Sequence, residues 1–292
     1  MMDCSISTIS FRMYLYSPAE IIAYAKECGF NGMELWEPHW HNSGADIWRR
    51  KESEGQMKLV ALSAYLDLTD FSSRSDCWRS ELAKKMAACE GLDIPILRLF
   101  TGRLSGYDAT DSDWARFFAR LHEVQAFAEK KEKDIVFETH PGTLLDSKEN
   151  VDRFVEEVDR NKWSRIGLNF DAFHVWEFGT DPVDCLEQWN PFVKHVHLKN
   201  ASGRTRAFDP ANVFSPSGIF DDLTPLPAGA VRIAEIVAFL MNHGYSGAFT
   251  VEWLGRPEIE FLRDEVDFLN SISDRKSLAV VRNNSIAELM SR

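Results

Sequence analysis

Glu138 and His140 stand two residues apart at the end of Lys133-Asp134-Ile135-Val136-Phe137, an apolar run that reads as a buried strand. At that spacing a carboxylate and an imidazole share one face of an extended chain, so both can project from a single strand end. Later apolar runs end on groups of the same kind: Asp171, His197 and Glu252. Three carboxylates and one imidazole from four successive strands suit Mn²⁺, Mg²⁺ or Co²⁺, with Zn²⁺ also admitted by the donor set. An octahedral ion held by four protein groups keeps about two positions for water or substrate oxygens. A lone acidic residue after a strand is usually a helix N-cap or a solvated group. Four such residues on consecutive strands are harder to read that way.

These groups need strands to carry them, and the chain supplies a repeating phrase. Strands are predicted over Ser5 to Phe11, Gly32 to Trp36, Lys58 to Tyr65, Pro95 to Phe100, Asp134 to Glu138, Arg165 to Asp171, Val193 to Leu198 and Ala248 to Trp253. Helices follow: one capped by Ser17 with Pro18 at its first position and ended near Gly29, then Ser75 to Leu92, Asp113 to Lys131, Ser147 to Val158, Asp181 to about Trp189, Arg232 to His243 and Pro257 to Ser271. Short apolar strands alternating with helices indicate a parallel sheet covered by helices. Eight repeats in 292 residues fit a closed (β/α)₈ TIM barrel, and no G-x-G-x-x-G or P-loop follows the first strand. The active site of such a barrel lies at the C-terminal strand ends, which also carry Arg12, Glu34, Tyr65 with Asp67, Arg98, His174 and Lys199. His195 and His197 share a face with Lys199. His174 and His195 read as supporting or packed histidines, His39 and His41 as loop residues. Arg49-Arg50 and Lys130-Lys131 read as solvated helix faces.

Composition narrows the partners. A net charge of −12 argues against a nucleic-acid binder, which needs a basic face. No apolar run is long enough to span a bilayer, and no secretory signal pattern opens the chain. Five cysteines, an odd number without C-x-x-C spacing, fit reduced thiols in a cytoplasmic protein. The expected organisation is one barrel domain over 1–273 with a tail over 274–292, where Leu278, Val281, Ile286 and Leu289 could form a short docked helix. Homo-oligomerisation is compatible with all of this.

Taken together, these residues resemble the xylose-isomerase-like barrels, which include sugar epimerases and isomerases, inosose dehydratases and an endonuclease branch. A finer resemblance is to the 3-dehydroshikimate dehydratases of the petrobactin-pathway type. It is carried by Ser7-Thr8-Ile9-Ser10-Phe11-Arg12, Gly32-Met33-Glu34-Leu35-Trp36, Tyr65-Leu66-Asp67, Glu138-Thr139-His140-Pro141, and Asp171-Ala172-Phe173-His174-Val175-Trp176-Glu177. It continues through Asp181-Pro182-Val183-Asp184, His195-Val196-His197-Leu198-Lys199-Asn200, Phe208-Asp209-Pro210-Ala211-Asn212-Val213 and Glu252-Trp253-Leu254-Gly255. The resemblance implies metal-assisted loss of water from 3-dehydroshikimate, giving 3,4-dihydroxybenzoate (protocatechuate). It also implies that Glu138, Asp171, His197 and Glu252 hold one divalent ion and that His140 is the base. Tyr65, Arg98 and Lys199 would face a small anionic cyclic substrate.

The residue chemistry is consistent with those roles. A neutral imidazole near its own pKa can take a proton beside a carbonyl, and a guanidinium fork suits a carboxylate. Lys199 or Tyr65 could assist the oxyanion or the leaving hydroxyl, and the sequence leaves that choice open. A sugar epimerase or isomerase working through an enediolate would share the metal quartet. Arg98, and Arg204 and Arg206 in the long stretch after Lys199, favour an anionic substrate instead. A repair endonuclease would need more ligands and a basic groove, and a non-catalytic barrel would not need an intact quartet.

Overall fold

The computed structural model describes residues 2–43, 47–48, 57–72 and 77–290, with side chains to residue 274. Its eight strands are β1 Cys4–Ser7, β2 Gly32–Trp36, β3 Lys58–Ser63, β4 Ile96–Leu99, β5 Asp134–Glu138, β6 Ile166–Asp171, β7 Val193–Leu198 and β8 Phe249–Val251. Each pairs in parallel with the next, and β8 returns to β1, so the sheet closes into the expected barrel.

Side-chain alternation on β5 shows how packing aims the site. Phe137 is fully buried and meets Phe117 and Phe154, on the helices Asp111–Lys131 (α4) and Lys148–Asn161 (α5), at 6.0 and 5.8 Å between ring centroids. Burying a phenylalanine contributes about 1.5–3 kcal/mol. Its outward position leaves the next residue, Glu138, no face but the barrel interior. A one-residue slip would exchange the two. The interior below the site is polar: Ser5 Oγ and Thr250 Oγ1 are 2.6 Å apart, and Thr250 Oγ1 lies 3.3 Å from His195 Nε2.

Several elements differ from the sequence reading. The first strand ends at Ser7, because Thr8–Phe11 coils into a 3-10 turn. That turn places the Thr8 hydroxyl to accept the Trp36 N–H at 2.8 Å. His39 and His41 lie not in a loop but on a helix, Glu37–Ser43 (α2). A further short helix, Ala172–Glu177 (α6), starts directly from β6 with Asp171 as its N-cap. The helix capped by Ser17 forms as expected over Pro18–Glu27 (α1), with a reciprocal Ser17–Glu20 capping box. The third helix, Trp78–Gly91 (α3), is described from Cys77 onward; the predicted start at Ser75 and the pair Arg49-Arg50 lie outside the described residues. The remaining helices are α7 Pro182–Trp189, α8 Pro210–Val213, α9 Ile233–Asn242 and α10 Ile259–Met290. The last runs on through the predicted tail boundary. Among the described residues, no helix is long and apolar enough to cross a membrane. All the cysteines are free, and only Cys77 is exposed.

The long connection after β7 is closed at its neck by Asn200. Its amide donates to Leu226 O and Val231 O at 2.8 and 2.9 Å, and its Oδ1 accepts from Val231 N at 3.0 Å. Glu265, buried on α10, accepts the Leu226 N–H at 2.9 Å and so ties the same neck to the last helix. Burial pushes the Glu265 carboxyl up to about 7, against the effect of that hydrogen bond. The native state therefore favours the protonated acid. Its stabilising contribution is full below pH about 4.5 and is lost as pH rises through about 7. Glu265→Gln keeps an acceptor and cannot ionise. Relative to the wild type, the variant should gain melting temperature between pH 5 and pH 8, as read by thermal denaturation at both.

Candidate active site

A cavity of about 460 Å³ opens among the C-terminal strand ends. Six of the eight residues singled out from the sequence line it: Tyr65, Arg98, Glu138, His140, Lys199 and Glu252. The other two, Asp171 and His197, are fully buried and in contact with the lining groups. His197 Nδ1 is 3.3 Å from Glu138 Oε2 and 3.8 Å from Asp171 Oδ2. Lys199 Nζ bridges Asp171 Oδ2 at 2.7 Å and Glu252 Oε2 at 2.5 Å.

Asp171 divides its two oxygens between jobs. Oδ1 accepts the backbone N–H groups of Phe173 and His174 at 3.1 and 3.0 Å, capping α6. Oδ2 is left for Lys199 and His197. Asp171 thus caps the helix with one oxygen and meets the buried cluster with the other.

Arg98 is placed otherwise than a free substrate fork. Its Nε and Nη2 both engage Glu138 Oε2, its guanidinium lies 3.9 Å from the Phe100 ring centroid, and Nη1 is buried without a hydrogen-bond partner. Burial would raise the Glu138 pKa, but the Arg98 and His197 charges hold it well below the usual carboxylate range. Asp171 moves the other way, up to about 6, because burial together with Glu138 and Glu252 outweighs Lys199. Lys199 itself is raised: the surrounding carboxylates overcome its burial, so it stays an ammonium.

His140 is the neutral base candidate of the cavity. Burial lowers its pKa to about 4. Its Nδ1–H donates to Pro141 O at 2.6 Å, which leaves Nε2 as the basic nitrogen. Its ring packs on Phe100 and on His174, at 4.7 and 4.4 Å between centroids. The Tyr65 hydroxyl accepts the Trp36 indole N–H at 2.9 Å and keeps its own proton to donate. Glu37, buried against Lys85, accepts the Tyr65 backbone N–H at 2.9 Å.

Three features were not assigned to the cavity from the sequence. His174, read there as a supporting or packed histidine, lines it, and its Nδ1 donates to Glu177 at 2.6 Å. The signal was its place three residues after Asp171, in the first turn of a helix capped by that residue. Phe100, Phe208 and Phe214 make aromatic walls; Phe100 follows Arg98 at the same parity, whereas Phe208 and Phe214 come from the long connection and had no local signal. Arg103 also lines the cavity. In contrast, Arg204 and Arg206 line a separate surface cleft with Asp209 and Asn212, so they do not give the cavity its charge.

Ligand atoms of Glu138, Asp171 and His197 lie within 4.8 Å of one another, and His197 Nδ1 has no hydrogen-bond partner. Two carboxylates and an unpartnered imidazole nitrogen at that separation fit a divalent cation. Glu252 stands beside this group, tied to Lys199.

A closed parallel barrel with carboxylates and imidazole gathered at its mouth defines a class, and the sequence agrees: the chain belongs to the xylose isomerase-like TIM barrel family, whose model matches residues 22–272. It is 28% identical over 285 residues to a 3-dehydroshikimate dehydratase of Bacillus anthracis, covering 92% of this chain and 97% of that one. The crystal structure of a probable 3-DHS dehydratase involved in petrobactin synthesis, also from Bacillus anthracis, superposes with a TM-score of 0.83. It is 26% identical, covering 92% of this chain and 99% of that chain. A structure of IolI protein with a bound zinc atom shares the fold, at TM-score 0.71 and 16% identity, covering 97% of this chain and 99% of that chain.

The Arg98–Glu138 pair makes a stability prediction. Both side chains are almost wholly buried, and removing one member of a buried pair strands the other charge at a cost of about 3–5 kcal/mol. Arg98→Leu should lose that much in chemical denaturation without added metal, and Arg98→Leu combined with Glu138→Leu should recover most of it. A double variant as unstable as the single one would show that the pair is not the source.

Proposed function

We propose that this protein is a cytoplasmic 3-dehydroshikimate dehydratase, a hydro-lyase that converts 3-dehydroshikimate to 3,4-dihydroxybenzoate and water. The observation that carries the reading is His140, a neutral imidazole with Nε2 free, on the wall of the cavity that also holds Glu138, Arg98 and Lys199. The relative's activity and the near-complete overlap of the two chains support it. Residues 1–273 are read as the catalytic barrel and 274–292 as a tail outside the chemistry.

Glu138, Asp171, His197 and Glu252 would hold one divalent cation, Mn²⁺, Mg²⁺ or Co²⁺, which when bound supplies positive charge to an oxygen that gains electron density. His140 Nε2 takes the proton from the carbon between the ketone and the departing hydroxyl's carbon. The electron pair released there forms the new double bond as that hydroxyl leaves, accepting a hydrogen bond from Tyr65 and taking up the proton that His140 received, so that it departs as water. Transfer of a second ring proton, from the ring methylene to the ketone oxygen, then gives the aromatic catechol. The Lys199 ammonium, clamped by Asp171 and Glu252, offers fixed positive charge without giving up its proton. Arg98, with two nitrogens on Glu138, keeps Nη1 as a donor for the substrate carboxylate. Phe100, Phe208 and Phe214 provide apolar walls for a flat ring.

The purified protein should release 3,4-dihydroxybenzoate from 3-dehydroshikimate, read by ultraviolet absorbance, and should leave ketohexoses unchanged. Epimerised ketohexose without aromatic product would replace the dehydratase reading with a sugar epimerase. Chelation should abolish turnover, and Mn²⁺, Co²⁺ or Mg²⁺ should restore it; full activity in metal-free protein would remove the ion from the scheme. His140→Ala should retain bound metal yet lose about 10²–10⁴ in kcat, the usual worth of a general base. Normal exchange of the substrate's α-proton in deuterated water by that variant would pass the base role to another group.

A further inference from the structure

Glu34 lies across the barrel from His197, in the middle of β2, and among the described residues no side chain is more completely enclosed. One of its oxygens, Oε2, accepts from both His197 Nε2 at 2.7 Å and His195 Nε2 at 2.9 Å. The other, Oε1, accepts the Ser7 hydroxyl at 2.8 Å. Strand register sets this up: Ser7 pairs with Glu34 between β1 and β2, and His197 pairs with Asp171 between β7 and β6.

A carboxylate can only accept, so the imidazole nitrogen facing it must carry hydrogen. We infer that Glu34 is a positioning residue: it fixes the proton of His197 on Nε2 and thereby presents Nδ1 toward Glu138 and Asp171 as the metal-binding atom. His197 Nδ1 is the nitrogen left without a hydrogen-bond partner, 3.3 and 3.8 Å from those two carboxylates. His195 has the opposite fate. It sits one alternation deeper, level with Asn169 rather than Asp171, and serves as a second donor that pins Glu34. A metal-binding histidine whose other nitrogen donates to a carboxylate gains both orientation and basicity, and loss of that partner typically lowers metal affinity 10–100-fold. Glutamine in place of Glu34 can keep one acceptor oxygen on the two rings, with its amide turned to the Ser7 hydroxyl, but it removes the negative charge that draws the ring protons and raises the basicity of Nδ1.

The inference rests on the metal reading of the site but not on the identity of the substrate, and no substrate enters its test. In protein carrying ¹⁵N-labelled histidine rings, Zn²⁺ titration should leave a protonated Nε2 on His197 and shift its Nδ1 signal on binding. Free Mn²⁺, followed by electron paramagnetic resonance, should show a 10–100-fold weaker dissociation constant for Glu34→Gln than for the wild type. Zn²⁺ seated on Nε2 of His197 and His195 would overturn the inference, because those two rings and Glu34 would then form the binding site themselves. So would a Glu34→Gln affinity within about twofold of the wild type. The ring-nitrogen experiment uses wild-type protein alone, so it decides the question even if the variant does not fold. Absence of Mn²⁺ and Zn²⁺ binding by the wild type would overturn both this inference and the metal assignment, whereas metal binding without dehydratase turnover would overturn only the latter's proposed substrate.

Discussion

Four carboxylates, Glu34, Glu138, Asp171 and Glu252, are buried at one end of the barrel, and the surrounding structure is arranged around keeping them there. An isolated buried carboxylate would take up a proton or force the site open to water. Here each has a cationic or N–H partner: Arg98 for Glu138, Lys199 for Asp171 and Glu252, and two imidazoles for Glu34. Arg98 on β4 and Lys199 just past β7 meet their carboxylates on neighbouring strands, whereas the two β7 imidazoles reach Glu34 on β2 only when the sheet has closed. Barrel closure completes the charge balance.

The same arrangement separates the two neighbours Glu138 and His140 chemically. Glu138 points into the interior, where Arg98 and His197 keep it ionised. His140, just past the strand, is held neutral by its burial beside Phe100 and His174, against the opposing effects of Glu138 and the Pro141 carbonyl. Two alternate positions of one strand end thus give an anion and a neutral imidazole, without a separate loop to bring them together.

The barrel was legible because its signals are local. Ser17, Pro18, Gly29 and Ser147 punctuate the helices, and short apolar runs such as Ile135-Val136-Phe137 mark the strands. The failures have a common origin in strand ends that double as something else. Thr8–Phe11 continues the alternation of β1 in sequence but coils, and α2 and α6 follow their strands with no intervening loop to announce them. Asp171 was recognisable as a polar strand end, whereas the division of its oxygens was not, since that depends on where α6 begins. Longer-range pairings were out of reach. Arg98 and Glu138 are 40 positions apart and Glu34 and His197 are 163, and nothing in either segment specifies the other until the register of β4 with β5 joins the first pair and barrel closure the second.

The neck formed by Asn200 has a consequence for how such a barrel can diversify. A single side chain joins both ends of the connection after β7, with Glu265 securing the same point to the outer helix. What lies between, including the Phe208 and Phe214 walls, hangs from that clasp and leaves β7 and β8 free of its length. Closing a longer loop costs little once its ends are already held. The segment is therefore an exchangeable cassette: descendants could acquire a different cavity roof by insertion or replacement there while inheriting the charged floor unaltered.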